Sequence, residues 1–167
     1  MLQSGLKDAR WIESQNFHIT LRFCGDIELQ VARELAQQLE RVNTEPFEVQ
    51  LSDLNVFGKS KPHSIYAGVK SNLHLTELQS SVERICQKVG MPPEQRKFTP
   101  HVTLARIRGL KTEEVAKYLS QRGLFQSKSF LVDRFKLYSS RNSIGGGPYV
   151  CEETYTLVHK DKTYGKT

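Results

Sequence analysis

Asn16-Phe17-His18-Ile19-Thr20-Leu21-Arg22-Phe23 and Phe98-Thr99-Pro100-His101-Val102-Thr103-Leu104-Ala105-Arg106 decide the reading of this chain. Each holds His, a β-branched aliphatic residue, Thr and Leu in that order. The chain has 10 Thr and 18 Leu among 167 residues. Two such tetrapeptides on five histidines would arise by accident in roughly 4 in 10,000 chains of this composition. Both stretches are rich in β-branched and aromatic residues and read as strands. Alternate strand side chains point to opposite faces. His18 and Thr20 therefore share one face while Ile19 and Leu21 anchor the other, and His101 and Thr103 do the same against Val102 and Leu104. The repeat suggests a pseudo-twofold chain with one copy per lobe.

If the two faces meet, two imidazoles and two hydroxyls converge. Imidazole titrates near neutrality, so one ring can donate a proton while the other accepts one. Threonine hydroxyls can donate to non-bridging phosphate oxygens. Such a set suits in-line hydrolysis of a phosphodiester with neither metal nor cofactor. A single motif would read more simply as a half-buried strand histidine. Zinc is the rival for the pair, but no Asp, Glu or Cys nearby on the same face completes a ligand set. His63, His74 and His159 lack the following x-Thr and read as surface or structural residues.

The surrounding pattern predicts an α+β chain. Val31, Leu35, Leu39 and Val42 mark one helix face over about residues 28–43, with Asp26 as its N-cap. Leu78, Val82, Ile85 and Val89 mark a second helix, stopped by Gly90 and Pro92-Pro93. A third runs from Thr112 as N-cap to Gly123. Strands are expected at Phe17 to Phe23, Phe47 to Phe57, Ser64 to Val69, Thr99 to Ile107, Ser129 to Tyr138 and Tyr149 to Val158, with a short one at Arg10 to Ile12. Arg141 to Pro148 reads as a hairpin loop, and Met91 to Arg96 as a crossover. Two phosphate-loop mimics are set aside, because neither Gly145-Gly146-Gly147 nor Gly165-Lys166-Thr167 opens a helix.

Composition bounds the rest. The chain is long enough for one domain or two small lobes sharing a core. No apolar run approaches the ~20 residues of a membrane helix, and Met1 to Asp8 lacks the apolar centre of a secretory signal. Three scattered cysteines, Cys24, Cys86 and Cys151, form neither a disulfide framework nor a zinc site, which favours a reduced, cytoplasmic setting. The net charge of +6 favours an anionic, phosphate-bearing partner.

The two motifs resemble the signature motifs of the 2H phosphoesterases. Within that superfamily the chain is most similar to the RNA 2′,3′-cyclic phosphodiesterases, also called 2′-5′ RNA ligases, of bacteria and archaea. The Leu104-Ala105-Arg106 extension points to this branch. The resemblance implies one bilobal α+β domain over residues 1–167, with antiparallel sheets facing across a cleft, helices outside and the motifs lining the cleft. It implies hydrolysis of RNA 2′,3′-cyclic phosphate ends to 2′-phosphomonoesters, reversible 2′-5′ joining, and RNA ends or small cyclic nucleotides as partners of a monomer. His18 and His101 would be the acid and base, and Thr20 and Thr103 would hold the phosphate. Family members usually begin with a strand and a helix ahead of the region matching Arg10-Trp11-Ile12, so part of that start is expected to be missing here.

The resemblance also assigns phosphate binding to Arg106. Simple alternation places Arg106 on the face opposite His101 unless the strand bulges near Ala105. Alternation places Arg22 on the face of His18 and Thr20, as a second candidate for the phosphate. A solvated surface arginine is the alternative for both. Phe17, Phe98 and Tyr149 could stack on bases, though aromatic strand residues are more often core. Two other functions fit the same residues: a binding module for RNA ends without turnover, and a phosphodiesterase for another nucleotide such as ADP-ribose cyclic phosphate or 2′-5′ oligoadenylate.

Overall fold

The computed structural model describes residues 2–140 and 149–158. The expected hairpin loop at 141–148, His159 and the Gly165-Lys166-Thr167 mimic lie outside the described residues. The chain forms two compact units: Met1–Leu21, Val49–Asn72 and Phe98–Phe130 make the first, and Arg22–Glu48, Leu73–Lys97 and Leu131–Thr167 the second. The elements run β1 (Ala9–Trp11), α1 (Leu29–Leu39), β2 (Phe47–Val49), β3 (Leu51–Phe57), β4 (Ser64–Val69), α2 (Leu73–Lys88), β5 (His101–Ile107), α3 (Thr112–Arg122), β6 (Phe130–Val132), β7 (Arg134–Ser139) and β8 (Val150–Thr156). The α+β class expected from the sequence is what the chain adopts. No helix among the described residues is long and apolar enough to cross a membrane.

The first unit is built on an antiparallel sheet ordered β1-β5-β4-β3. One face of it is the core. Leu54, Ile65, Ala67, Val102, Leu104, Ala105 and Ile107 are buried there against Val115 and Tyr118 of α3. That burial is the main stabilising term, at about 25 cal/mol per Å² of apolar surface removed from water. Tyr118 also donates its hydroxyl to the carbonyl of Leu2 at 2.7 Å, tying the N-terminal stretch to α3. Between β3 and β4 the chain turns at Gly58, whose φ is +83°. A Cβ there would collide with the Lys61 carbonyl, so only glycine closes this turn.

In the second unit α1 buries Leu35 and Leu39, and α2 buries Leu75, Leu78, Val82 and Cys86. Strands β7 and β8 pair antiparallel, and β2 pairs with β6. Tyr155 of β8 stacks on Phe135 at 4.8 Å and donates to the Ala36 carbonyl of α1 at 2.8 Å. Burial, reinforced by Glu153 and Glu40, pushes its phenol up to about 12.

Three helices form where apolar spacing predicts them, with shifted ends. The N-cap of α1 is Glu28, with no side-chain cap bond, rather than Asp26. Thr112 is the first helical residue of α3 rather than its cap. Lys111 stands before it, and the Glu114 carboxylate accepts the Lys111 N–H at 2.9 Å. The long strand expected at Phe47 to Phe57 divides into β2 and β3, and that at Ser129 to Tyr138 into β6 and β7.

The strand expected over Phe17 to Phe23 is the main correction. Only Ile19 pairs, in an antiparallel bridge with Val102. The reason lies on the edge of β5, which two segments share. Strand β1 takes residues 105–107, and Ile12 N–H adds a bond to the Leu104 carbonyl at 2.8 Å. The chain then makes one 3-10 turn, Ser14–Asn16, and returns to the same edge at Ile19. It leaves again at Leu21, where the first unit's segment ends.

Candidate active site

Both motifs belong to the first unit, which corrects the expectation of one motif per lobe. The Ile19–Val102 bridge sets their register. With Ile19 opposite Val102, an antiparallel pair places His18 opposite Thr103 and Thr20 opposite His101. Ile19 and Val102 pack on the core side, so the four polar side chains share the other face. Directly opposed Cβ atoms lie ~5 Å apart and diagonal ones about 7 Å. The two imidazoles thus occupy one diagonal of a small square and the two hydroxyls the other, spanning the width of a phosphoryl group.

The rings are held alike. Nδ1 of His18 meets the Asn16 carbonyl at 2.8 Å, and Nδ1 of His101 meets the Thr99 carbonyl at 2.8 Å. A carbonyl only accepts, so in the neutral rings each Nδ1 carries the hydrogen. His101 is further wedged edge-on by two aromatic rings, Phe57 at 4.8 Å and Tyr66 at 5.2 Å, which stack on each other at 4.1 Å. Such contacts fix the angle at which Nε2 points.

Arg106 reaches the same face through a bulge. Strand β4 pairs Ile65 with Ala105 but Tyr66 with Thr103, so Leu104 is the extra residue. Leu104 and Ala105 both turn into the core, at 5% and 0% exposure, and the alternation reverses after them. Arg106 then projects outward beside Thr103. Its Nη1 donates to Ser64 Oγ at 3.1 Å, and Ser64 is 1% exposed. The Ser64 hydroxyl also lies 3.0 Å from Nδ1 of His63, whose ring lies parallel to Phe57. His63 is thus a structural neighbour of the site, as its lack of a following x-Thr suggested.

Arg22 does not join this face; it lies in the second unit with its side chain 8% exposed. Its Nε donates to Glu83 at 2.6 Å, Nη1 to the Phe23 carbonyl at 2.7 Å and to Glu94 at 3.5 Å, and Nη2 to the Pro92 carbonyl at 2.6 Å. Arg22 therefore braces the crossover against α2 instead of offering donors to a phosphate. Burial raises the Glu83 carboxyl, but the Glu94 N–H, the Gln87 amide and Arg22 outweigh it and hold the group below its ordinary 4.5. A depressed carboxyl stabilises the fold above its unfolded pKa, and that stabilisation is lost as pH falls through the folded value. Melting temperature followed from pH 7 to pH 3 should therefore fall less steeply below about 4.5 in Glu83→Gln than in the parent protein. Parallel acid limbs would remove this role from Glu83. Nearby, a hydrogen bond with Cys86 draws the Cys24 thiol down to about 7, against burial and with help from Arg22.

Of the expected stacking residues, Phe17 is 42% and Tyr149 49% exposed, and Phe98 is half-buried. Phe17 and Phe98 belong to the first unit and Tyr149 to the second. Sequence reasoning missed Phe57, Ser64 and Tyr66. The available signal was the alternation Ser64-Ile65-Tyr66-Ala67-Gly68, which puts a hydroxyl and an aromatic ring opposite two core residues. Among the described residues no three His, Cys, Asp or Glu side chains converge as metal ligands.

The fold and the paired His-x-Thr face define a two-histidine phosphoesterase architecture. A family model described as the 2′-5′ RNA ligase superfamily matches residues 6–143, and the chain belongs to that family. It is 36% identical over 132 residues to the RNA 2′,3′-cyclic phosphodiesterase of Aeropyrum pernix, covering 77% of this chain and 75% of that one. It is 33% identical over 152 residues to the protein of that name in Aquifex aeolicus, covering 87% and 81%. Among solved structures, E. coli LigT complexed with 3′-AMP has the same fold, with a TM-score of 0.71 at 20% identity over 92% of this chain and 83% of that one. A Thermus thermophilus protein scores 0.72 at 19% identity, over 93% and 86%.

Proposed function

We propose that this face hydrolyses the 2′,3′-cyclic phosphate at an RNA end to a 2′-phosphomonoester. The observation that carries the reading is the Ile19–Val102 bridge, which sets two carbonyl-anchored imidazoles diagonally across two threonine hydroxyls. One neutral ring takes a proton from water through Nε2 as the water oxygen bonds to phosphorus. The bond from phosphorus to O3′ breaks in line, and the other ring, protonated, delivers its Nε2 hydrogen to the departing oxygen. Thr20, Thr103 and Arg106 donate to the non-bridging oxygens as negative charge builds there. With the 5′-hydroxyl of a second RNA in place of water, the same displacement makes a 2′-5′ link.

The test is incubation with nucleoside 2′,3′-cyclic phosphates and with RNA carrying that end, the products being assigned by phosphorus NMR. A 2′-monophosphate is expected. Binding without any product would identify a module that holds RNA ends, and a 3′-monophosphate would reverse the assigned leaving group.

Ser64 sets the aim of Arg106 within this reading. Ser64→Ala should lower kcat about two- to tenfold, the range for one lost hydrogen bond. The melting temperature should barely move, since the exposed side chains of His63 and Arg106 can turn to solvent for the lost bond. An unchanged kcat would show that Arg106 needs no such guide.

A further inference from the structure

The register of β1 on β5 pairs Arg10 directly with Arg106. Opposed residues of an antiparallel pair share a face, so Arg10 stands beside Arg106 on the side that carries His101 and Thr103. Its neighbours Ala9 and Trp11 pack on the core side, and both arginines are exposed. Two like charges directly opposite each other oppose strand pairing. Nothing described cancels them. Ser64, the hydrogen-bond partner of Arg106, is neutral, and among the described residues no carboxylate oxygen lies within 4.0 Å of either guanidinium.

We infer that Arg10 extends, past Arg106, the anion site beside the two histidines, and that Arg10 holds the phosphodiester one nucleotide upstream of the cyclic end. The inference rests on the cyclic-phosphate reading of the neighbouring face. A diester oxygen pair matches the fork of a guanidinium. From the His18–Thr103 pair to the Arg10–Arg106 pair the bulged strand advances about two pleat steps, roughly 7 Å, comparable to the separation of neighbouring phosphates along a nucleic-acid strand. The long Arg106 side chain can therefore turn back to the reacting phosphate while Arg10 meets the next one. A ligand with one phosphate reaches the histidine square and Arg106, whereas a strand also reaches Arg10. The subsite would make the protein select RNA ends over free cyclic mononucleotides.

The test compares three substrates at several salt concentrations: a nucleoside 2′,3′-cyclic phosphate, the same compound with a 5′-phosphate, and a dinucleotide ending in the cyclic phosphate. The parent protein should favour the dinucleotide, and Arg10→Gln should reduce that preference, as a ratio of kcat/KM values, about tenfold, the low end for a charge-assisted bond. The slope of log binding constant against log salt for the dinucleotide should shrink by about 0.7, the increment for one phosphate on a single strand. Arg10→Lys should keep the slope. An unchanged ratio in Arg10→Gln overturns the inference, because a merely structural arginine would alter all substrates together. A loss confined to the 5′-phosphorylated mononucleotide also overturns it, since the subsite would then read a monoester. If the parent protein turns over none of the three, the catalytic reading falls by itself, and the salt slope alone decides the subsite, equal slopes ending it.

Discussion

His101→Ala and His18→Ala should each lower turnover of a nucleoside 2′,3′-cyclic phosphate by at least about 100-fold, from the ~10²–10⁴-fold worth of a positioned acid or base. The two losses should not multiply in the double variant, because acid and base act on one displacement and either loss already disables the concerted transfer. In the parent protein kcat/KM should pass through a maximum with pH and decline on both sides, since one ring must carry a proton and the other must not. Each single variant should lose one limb of that profile. Stability should be preserved, because His18 is exposed and His101 half-buried, and alanine leaves the Ile19–Val102 bridge in place. A His101→Ala protein that retains the parent rate and both limbs would defeat the mechanism.

Arg106→Ala should lower kcat by roughly 100-fold, the lower end for removing one preorganised donor from a developing oxyanion. The effect should fall mainly on kcat, since the charge it answers grows as the displacement proceeds. Arg106→Lys should recover only part of the rate. A lysine restores the charge but not the fork, which lets one guanidinium nitrogen rest on Ser64 while others face the phosphoryl oxygens. Full activity in Arg106→Ala would return Arg106 to an ordinary surface role. A loss carried by KM alone would mean that it binds substrate and transition state equally.

How much of this was legible in the chain varies residue by residue. The His-x-Thr pair was, because a strand's two-residue period ties His18 to Thr20 and His101 to Thr103 whatever the surrounding sheet does. The helices were legible from apolar spacing, yet their ends moved by a few residues, since the terminal turn depends on what the next segment offers the free N–H groups. Arg106 stood on a condition that sequence could state and not resolve. Alternation excluded it and a bulge near Ala105 would admit it. The extra residue proved to be Leu104, because both Leu104 and Ala105 find room in the core. Arg22 shows the opposite case. Alternation put it on the histidine face, but the chain leaves the edge of β5 after Leu21, and Glu83 and Glu94 hold the guanidinium elsewhere.

By itself, then, the sequence determined the α+β class, the strand face that each histidine shares with its threonine, and the phosphate chemistry those groups suit, because residue type and strand periodicity are local properties. The tertiary structure alone decided that both motifs sit in one unit on a shared edge of β5, that Phe57, Tyr66 and Ser64 brace the site, and that Arg10 faces Arg106. Each of these depends on register between segments far apart in the chain. Register is settled by which side chains can be buried together, and no local pattern encodes that.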